Sequence, residues 1–303
     1  MTIEPTLLER AGAQLLSDFP LIAKGLSPQV LTEEPGALAA ATETIEYAWA
    51  RAGKSEERFA EMLESFAVLS FDFLRLQARF NKTGQYALAS AEGLSENLYS
   101  DGEEMLGRYI DGLLLSYAMW PNHARILDFF RQTVAQIPAG SKVREIGVGH
   151  GLMATMLHRE VPEVEYVGID LSPHTIAYCR QALAEEFGDT DERWQFVEAD
   201  ATSVGGDPGD WFVCCEVLEH VDRPQDLLQS CRGLIHGDGK GFLTTVANLE
   251  AEDHVYLFND VGHIRACLDE AGFAVEQELS LVLPGSEDAN PLPLNYAAVV
   301  SPI

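Results

Sequence analysis

The sequence predicts an α/β fold: a mainly parallel, doubly wound sheet of seven strands with an antiparallel last strand, preceded by an all-helical amino-terminal domain. Three observations carry this. Residues 1 to 135 show helical periodicity with no strand-like alternation. From residue 136 onward short β-branched runs alternate with amphipathic segments, the texture of a parallel sheet covered on both faces. The last two strands are joined by Pro284 to Pro293 with no helix between them, so they must pair antiparallel.

The amino-terminal helices read as Thr6 to Asp18, Pro35 to Gly53, Ser55 to Arg79, Gly102 to Met119 and Pro121 to Gln136. In the third, Phe59, Met62, Leu63, Phe66, Leu69, Phe73 and Leu76 recur at intervals of three and four, which marks one apolar face. That face either packs within the domain, the first reading, or serves a homo-oligomer through Phe59, Phe66 and Phe73. Tyr109, Tyr117, Trp120 and His123 gather aromatic and polar groups just before the sheet. They form either a seam between helices and sheet, since aromatics bury large areas, or the roof of a substrate pocket.

Strands are expected at 142–148, 164–170, 194–200, 211–217, 240–247, 274–283 and 294–301, with helices near 151–160, 173–187, 224–235 and 260–271. The first strand, with Val143, Ile146 and Val148, runs into glycines at 147, 149 and 151. Gly147 and Gly149 lack a Cβ, so the main chain there can take unusual dihedrals and let a ligand lie against it. A dinucleotide fold needs a third glycine where this chain has Leu152. Glu145 stands just before the turn, where a carboxylate meets a cationic amine and repels a phosphate.

In a doubly wound sheet ligands sit at the carboxyl ends of the central strands. The second strand ends at Asp170 and Leu171, the third at Asp200 and Ala201. Asp170 can take a ribose diol; Asp200 can take the exocyclic amine of adenine, while the Ala201 amide donates to a ring nitrogen. Each aspartate alone could equally be a helix cap. Three carboxylates after three successive strands, behind a glycine-rich turn, form an ordered cofactor set.

The spacing E-x-G-x-G-x-G at 145–151 resembles the first motif of the class I S-adenosylmethionine-dependent methyltransferases. Glu216-Val-Leu-Glu219-His220-Val221 resembles the fourth motif of their small-molecule members, including the quinone-biosynthesis O-methyltransferases. The resemblance covers residues 140 to 303. It implies a Rossmann-like sheet, domains at 1–135 and 136–303, the first serving as lid or oligomer contact, and S-adenosyl-L-methionine as cofactor. By it Glu145, Gly147, Gly149, Asp170, Leu171, Asp200, Ala201 and Glu216 match cofactor positions, Glu216 beside the transferred methyl. It also implies that Tyr109, Tyr117, Trp120 and His123 roof the acceptor.

Methyl transfer from a sulfonium requires an aligned nucleophile and, where needed, removal of its proton. His220 is the first candidate base, because an imidazole titrates near neutrality; Glu216 and His254 complete the catalytic candidates. If residues 216 to 220 turn helically, Glu216, Glu219 and His220 share one face. The matching residues bind a divalent ion in the quinone and small-RNA methyltransferases, with His254 or His263 as a further imidazole. A metal-free site is nonetheless the expectation, since the same tail occurs in metal-free relatives. His254 can alternatively orient Tyr256 or the backbone.

Composition narrows the acceptor. The 303-residue chain is 47% apolar and carries a net charge of −28, which repels phosphate backbones and anionic membranes. No N/D-P-P-Y/F motif follows the fourth strand. Five cysteines without a C-x-x-C pair read as reduced structural thiols, and the amino terminus lacks a signal sequence, so a cytoplasmic location is expected. The expected activity is methyl transfer to a small molecule of secondary metabolism, oxygen first. C- or N-methylation of an aromatic, amino-acid-derived or prenyl substrate stays open, as does a non-catalytic cofactor-binding scaffold. A nicotinamide-dependent oxidoreductase is disfavoured by Leu152 and Glu145.

Overall fold

The computed structural model describes residues 5–23, 25–88, 90–91, 105–188, 192–202 and 207–303. The chain divides into two compact units, one of residues 1–74 and 102–131, the other of 75–101 and 132–303. Gly102 of the expected fourth helix lies outside the described residues.

The first unit is helical. It contains α1 (Leu7–Asp18), α2 (Ser27–Val30), α3 (Pro35–Arg51), most of α4 (Glu56–Thr83), a π-helical turn (Met105–Tyr109), α5 (Ile110–Met119) and most of α6 (Pro121–Val134). Thr6 caps α1 reciprocally with Glu9: the Glu9 amide donates to the Thr6 hydroxyl at 3.2 Å, and the Thr6 amide donates to the Glu9 carboxylate at 2.7 Å. The apolar stripe of α4 is used inside the unit. Phe59 and Phe66 are buried, and Trp120 packs on Phe66 and Phe73 at 5.8 and 5.3 Å between ring centroids. Arg125 clamps Glu34 through two bonds of 2.6 and 2.7 Å, and Arg58 pairs with buried Asp111.

The second unit carries the sheet: β1 (Lys142–Ile146), α7 (Leu152–Glu160), β2 (Glu165–Asp170), α8 (Pro173–Phe187), β3 (Trp194–Glu198), β4 (Gly209–Cys215), α9 (Pro224–Gly233), β5 (Ile235–Ala247), α10 (Val261–Glu270), β6 (Phe273–Val282) and β7 (Leu294–Pro302). Their order in the sheet is β3-β2-β1-β4-β5-β7-β6. All neighbours are parallel except β7, which runs antiparallel to β5 and β6. The strand order reverses between β1 and β4, and a ligand crevice therefore opens outside their carboxyl ends. Ile146, Ile169, Phe212, Cys214, Leu243 and Phe258 form part of the core beneath it. No helix of the described residues is long and apolar enough to cross a membrane.

Candidate functional site

The first part of the site is the turn after β1. Glu145 is buried, and the Tyr166 hydroxyl donates to its Oε2 at 2.7 Å. That bond crosses Gly168, where an added Cβ would lie 2.6 Å from the Tyr166 oxygen, so a side chain there would displace the phenol. Burial pushes the Glu145 carboxyl up to about 8, against the opposing pull of the Tyr166 bond. A buried, largely protonated carboxyl is a receptor for a cation: an ammonium beside it would restore the charged form.

Gly147 and Gly149 have positive φ of 71° and 48°. A Cβ at Gly147 would meet Val217 Cγ2 at 2.5 Å, whereas nothing lies within 4 Å of the corresponding point at Gly149. One glycine therefore permits close packing against the chain after β4, and the other leaves open space. Asp170 ties this turn to the end of β2, accepting from the Gly149 amide at 3.3 Å and from the Ser172 amide at 2.9 Å. Enclosure raises the Asp170 carboxyl, and the backbone amides oppose that rise.

Beyond it, exposed Leu171 and Asp200 line a cleft of about 730 Å³ together with Thr202, His220, Val221 and Asp222. Asp200 Oδ1 accepts from the Thr202 amide and hydroxyl at 2.8 and 2.7 Å, bonds within a local turn, while its residue still faces the cleft. Ala201 packs partly against the core.

The second part of the site follows β4. Glu216 takes a left-handed φ of 52°, and its amide donates to the Thr244 hydroxyl at 2.9 Å. The next residues form a 3-10 turn, Leu218–His220, in place of the expected α-helical turn. The tighter turn changes the set that converges. Glu219, His220 and His254 each offer one ligand atom, all within 4.8 Å of one another, with the Glu216 carboxyl interacting with Glu219. Burial raises both carboxyls, Glu219 to about 7 and Glu216 well above the ordinary carboxylate range.

Each imidazole is oriented through its Nδ1. That of His220 lies 3.0 Å from the Asp253 carbonyl and 3.4 Å from its carboxylate; that of His254 lies 2.8 Å from the Leu249 carbonyl. With Nδ1–H donated, each Nε2 keeps its lone pair. Burial and the nearby His220 push His254 down to about 4, so it stays neutral at physiological pH and is a ligand in preference to a base. His254 engages the backbone; Tyr256 instead meets His263, whose Nε2 is 3.3 Å from the phenol oxygen. His263 therefore belongs to a separate pair.

Tyr109, Tyr117, Trp120 and His123 all lie in the helical unit. Tyr109 and Tyr117 are buried, the Tyr117 ring is 4.7 Å from His123, and His123 Nδ1 is 3.0 Å from the Ser116 hydroxyl.

Sequence reasoning missed the role of the end of α4 and of the segment that follows it. Gln77 donates to the Asn248 carbonyl at 3.0 Å and accepts from the Glu250 amide at 2.9 Å. Arg79 bonds buried Glu250 at 2.9 Å, and the Ala87 amide reaches the same oxygen. The Tyr86 ring then lies against His254 at 5.9 Å, and the Ala91 amide donates to Asp222 at 2.8 Å. These partners are far apart in the chain, and Tyr86 carries no local motif; only the register of the fold joins them.

Residues 144–240 match the family model of a methyltransferase domain. The ubiquinone biosynthesis O-methyltransferase of Xanthomonas axonopodis pv. citri is 35% identical over 109 residues, 36% of this chain and 44% of that protein. The chain spans about half the length of the curated relatives it matches. Among solved structures, mitomycin 7-O-methyltransferase superposes with a TM-score of 0.55 at 14% identity, over 80% of this chain and 70% of that one. Phosphoethanolamine N-methyltransferase 2 of Haemonchus contortus, in complex with S-adenosyl-L-methionine, gives 0.53 at 16% identity, over 72% and 61%. The strand order, the antiparallel seventh strand, the glycine turn with its acidic neighbours and the matched segment agree with one another. Residues 144–240 are thus a methyltransferase domain, the second unit has the fold of the class I S-adenosylmethionine-dependent methyltransferases, and the cofactor these findings support is S-adenosyl-L-methionine.

Proposed function

We propose that this chain transfers a methyl group from S-adenosyl-L-methionine to an oxygen of a small-molecule acceptor, at a site that holds a divalent cation. The observation that carries the reading is the convergence of Glu219, His220 and His254. Glu216 Oε1 and Glu219 Oε1 are buried without a hydrogen-bond partner, a costly arrangement that a bound cation would relieve. Imidazole nitrogens with carboxylate oxygens suit a first-row divalent ion or magnesium, and the Nδ1 bonds to Asp253 and Leu249 are the orienting contacts such ligands use. When bound, the ion would supply Lewis acidity to the acceptor hydroxyl.

The chain's own residues do the rest. Glu145 receives the cofactor's ammonium, Gly149 leaves room for its methionine part, and Asp170 and Asp200 meet the sugar and base beside Leu171. Glu216, at the end of β4, stands where the methyl is delivered. Oxygen is favoured because the curated relatives are ubiquinone biosynthesis O-methyltransferases. A small acceptor, secondary-metabolic in our reading, fits the net charge of −28, which repels nucleic acids and anionic membranes.

A second reading has a specific support. His220 Nδ1 meets both the carbonyl and the carboxylate of Asp253, the arrangement of a base and its orienting group, so His220 Nε2 can take the acceptor proton without a metal. One experiment separates the two. Tritiated methyl transfer to a panel of phenols, alcohols and amines is measured with and without a chelator. Metal-assisted O-methylation predicts transfer to hydroxyl acceptors that the chelator abolishes, that magnesium or manganese restores and that Glu219→Gln does not recover. Turnover indifferent to the chelator and abolished by His220→Ala selects the metal-free base, and transfer to amines alone removes the oxygen assignment.

A further inference from the structure

We propose that Tyr86 binds the methyl acceptor, donating its phenol hydrogen to an acceptor oxygen beside Glu219 and His254. The inference deepens the reading above and rests on its oxygen acceptor.

Tyr86 is 8% exposed, and its hydroxyl is buried with no hydrogen-bond partner. Buried phenols normally find one. The neighbourhood contains acceptors that are also unmated: Glu219 Oε1 and Glu250 Oε2 are buried without partners.

The donor and the acceptors do not simply collapse onto one another, because the ring and its segment are fixed. Phe80 packs on the ring at 5.4 Å and His254 at 5.9 Å. Arg79 and the Ala87 amide anchor the segment on Glu250, Gln77 grips Asn248 and Glu250, and the Ala91 amide holds Asp222. A hydroxyl entering this neighbourhood would satisfy both sides, accepting from Tyr86 and donating to a carboxylate. The rings of Phe80, Tyr86, His254 and His220 follow one another at 5.4, 5.9 and 5.1 Å, inclined by 52°, 53° and 71°, an aromatic lining of faces and edges that an aromatic acceptor can pack against. The acceptor class is accordingly a hydroxylated aromatic.

Tyr86→Phe tests this in the full chain, since it removes one oxygen and keeps the packed ring. The probe is para-nitrophenol, whose absorption reports binding, titrated in the presence of S-adenosyl-L-homocysteine; Tm and affinity for S-adenosyl-L-homocysteine are measured alongside. The expected result is para-nitrophenol binding weaker by about five- to tenfold, the worth of one neutral hydrogen bond, with S-adenosyl-L-homocysteine affinity unchanged and Tm equal or higher. Equal binding by both proteins overturns the role of Tyr86 and leaves the methyl-transfer reading standing. A fall in Tm with a parallel loss of S-adenosyl-L-homocysteine affinity assigns the phenol to structure and also overturns it. Failure of the unmodified protein to bind para-nitrophenol removes the aromatic hydroxyl acceptor itself, and this inference with it.

Discussion

Replacing Glu145 by Gln removes a titration that burial has moved from 4.5 to about 8, and the consequence for stability has a definite sign. Between those two values the folded chain holds a proton that the unfolded chain releases. Stability is therefore intact below about pH 4.5 and erodes as pH rises to about 8. At about 1.4 kcal/mol per pH unit, the full erosion is about 5 kcal/mol, and about 3 kcal/mol of it has accrued by neutral pH. The Glu145→Gln variant would keep an oxygen for the Tyr166 hydroxyl and has no proton to lose at this position, so its stability would lack this slope. Urea unfolding of both proteins across the range measures it: the variant should match the parent near about pH 5 and exceed it by several kcal/mol near about pH 8.5. The same carboxyl links to the cofactor. An ammonium favours the carboxylate, so S-adenosyl-L-methionine binding to the parent at about pH 6.5 should release about one proton, seen calorimetrically as a dependence on buffer ionisation enthalpy. The variant should release none and bind more weakly. Parallel pH–stability curves would refute the raised titration of Glu145, and identical proton release by both proteins would refute the placement of the amine beside it.

Three further substitutions probe neighbouring contacts. Gly147→Ala should cost about 2–5 kcal/mol, about 1–2 from the positive φ and the rest from Val217; in a Val217→Ala background only the first part should remain, and an equal cost in both backgrounds contradicts the contact. Asp170→Ala leaves the Gly149 and Ser172 amides without their acceptor, which should lower stability by about 1–3 kcal/mol and weaken cofactor binding at least about tenfold by fluorescence titration. Arg79→Ala strips buried Glu250 of its cation; because Arg79 is itself 44% exposed, the expected loss in urea unfolding is about 1–2 kcal/mol, below that of a fully buried pair.

The sheet was legible because its strands are short, apolar and separated by helices of ordinary length. Its lapses have local causes. β5 begins at Ile235, ahead of the expected 240, since His236-Gly-Asp-Gly-Lys240 carries turn residues yet is held in the strand beside β4, where the register shifts between Gly209 and Trp211. Helix α2 escaped notice because four residues give no periodicity. In the site, Glu145, Asp170, Glu216, Glu219 and His220 were legible as residues that end or follow strands. Glu219, His220 and His254, which converge, were among the candidate ligands the sequence offered; the local geometry was not legible, because a helical spacing is the natural expectation where Glu216 has a left-handed φ and a 3-10 turn follows. His254 enters from the chain after β5, and Tyr86 from beyond the stripe of α4; no spacing rule connects either to β4.

The most direct test of the account is equilibrium dialysis of methyl-tritiated S-adenosyl-L-methionine against the full chain, with the Asp170→Ala variant and an excess of NAD as controls. The account predicts saturable binding of one cofactor per chain that NAD does not displace and that the variant largely loses. No saturable binding, or displacement by NAD, would contradict a sulfonium cofactor lying in the crevice beyond β1, β2 and β3.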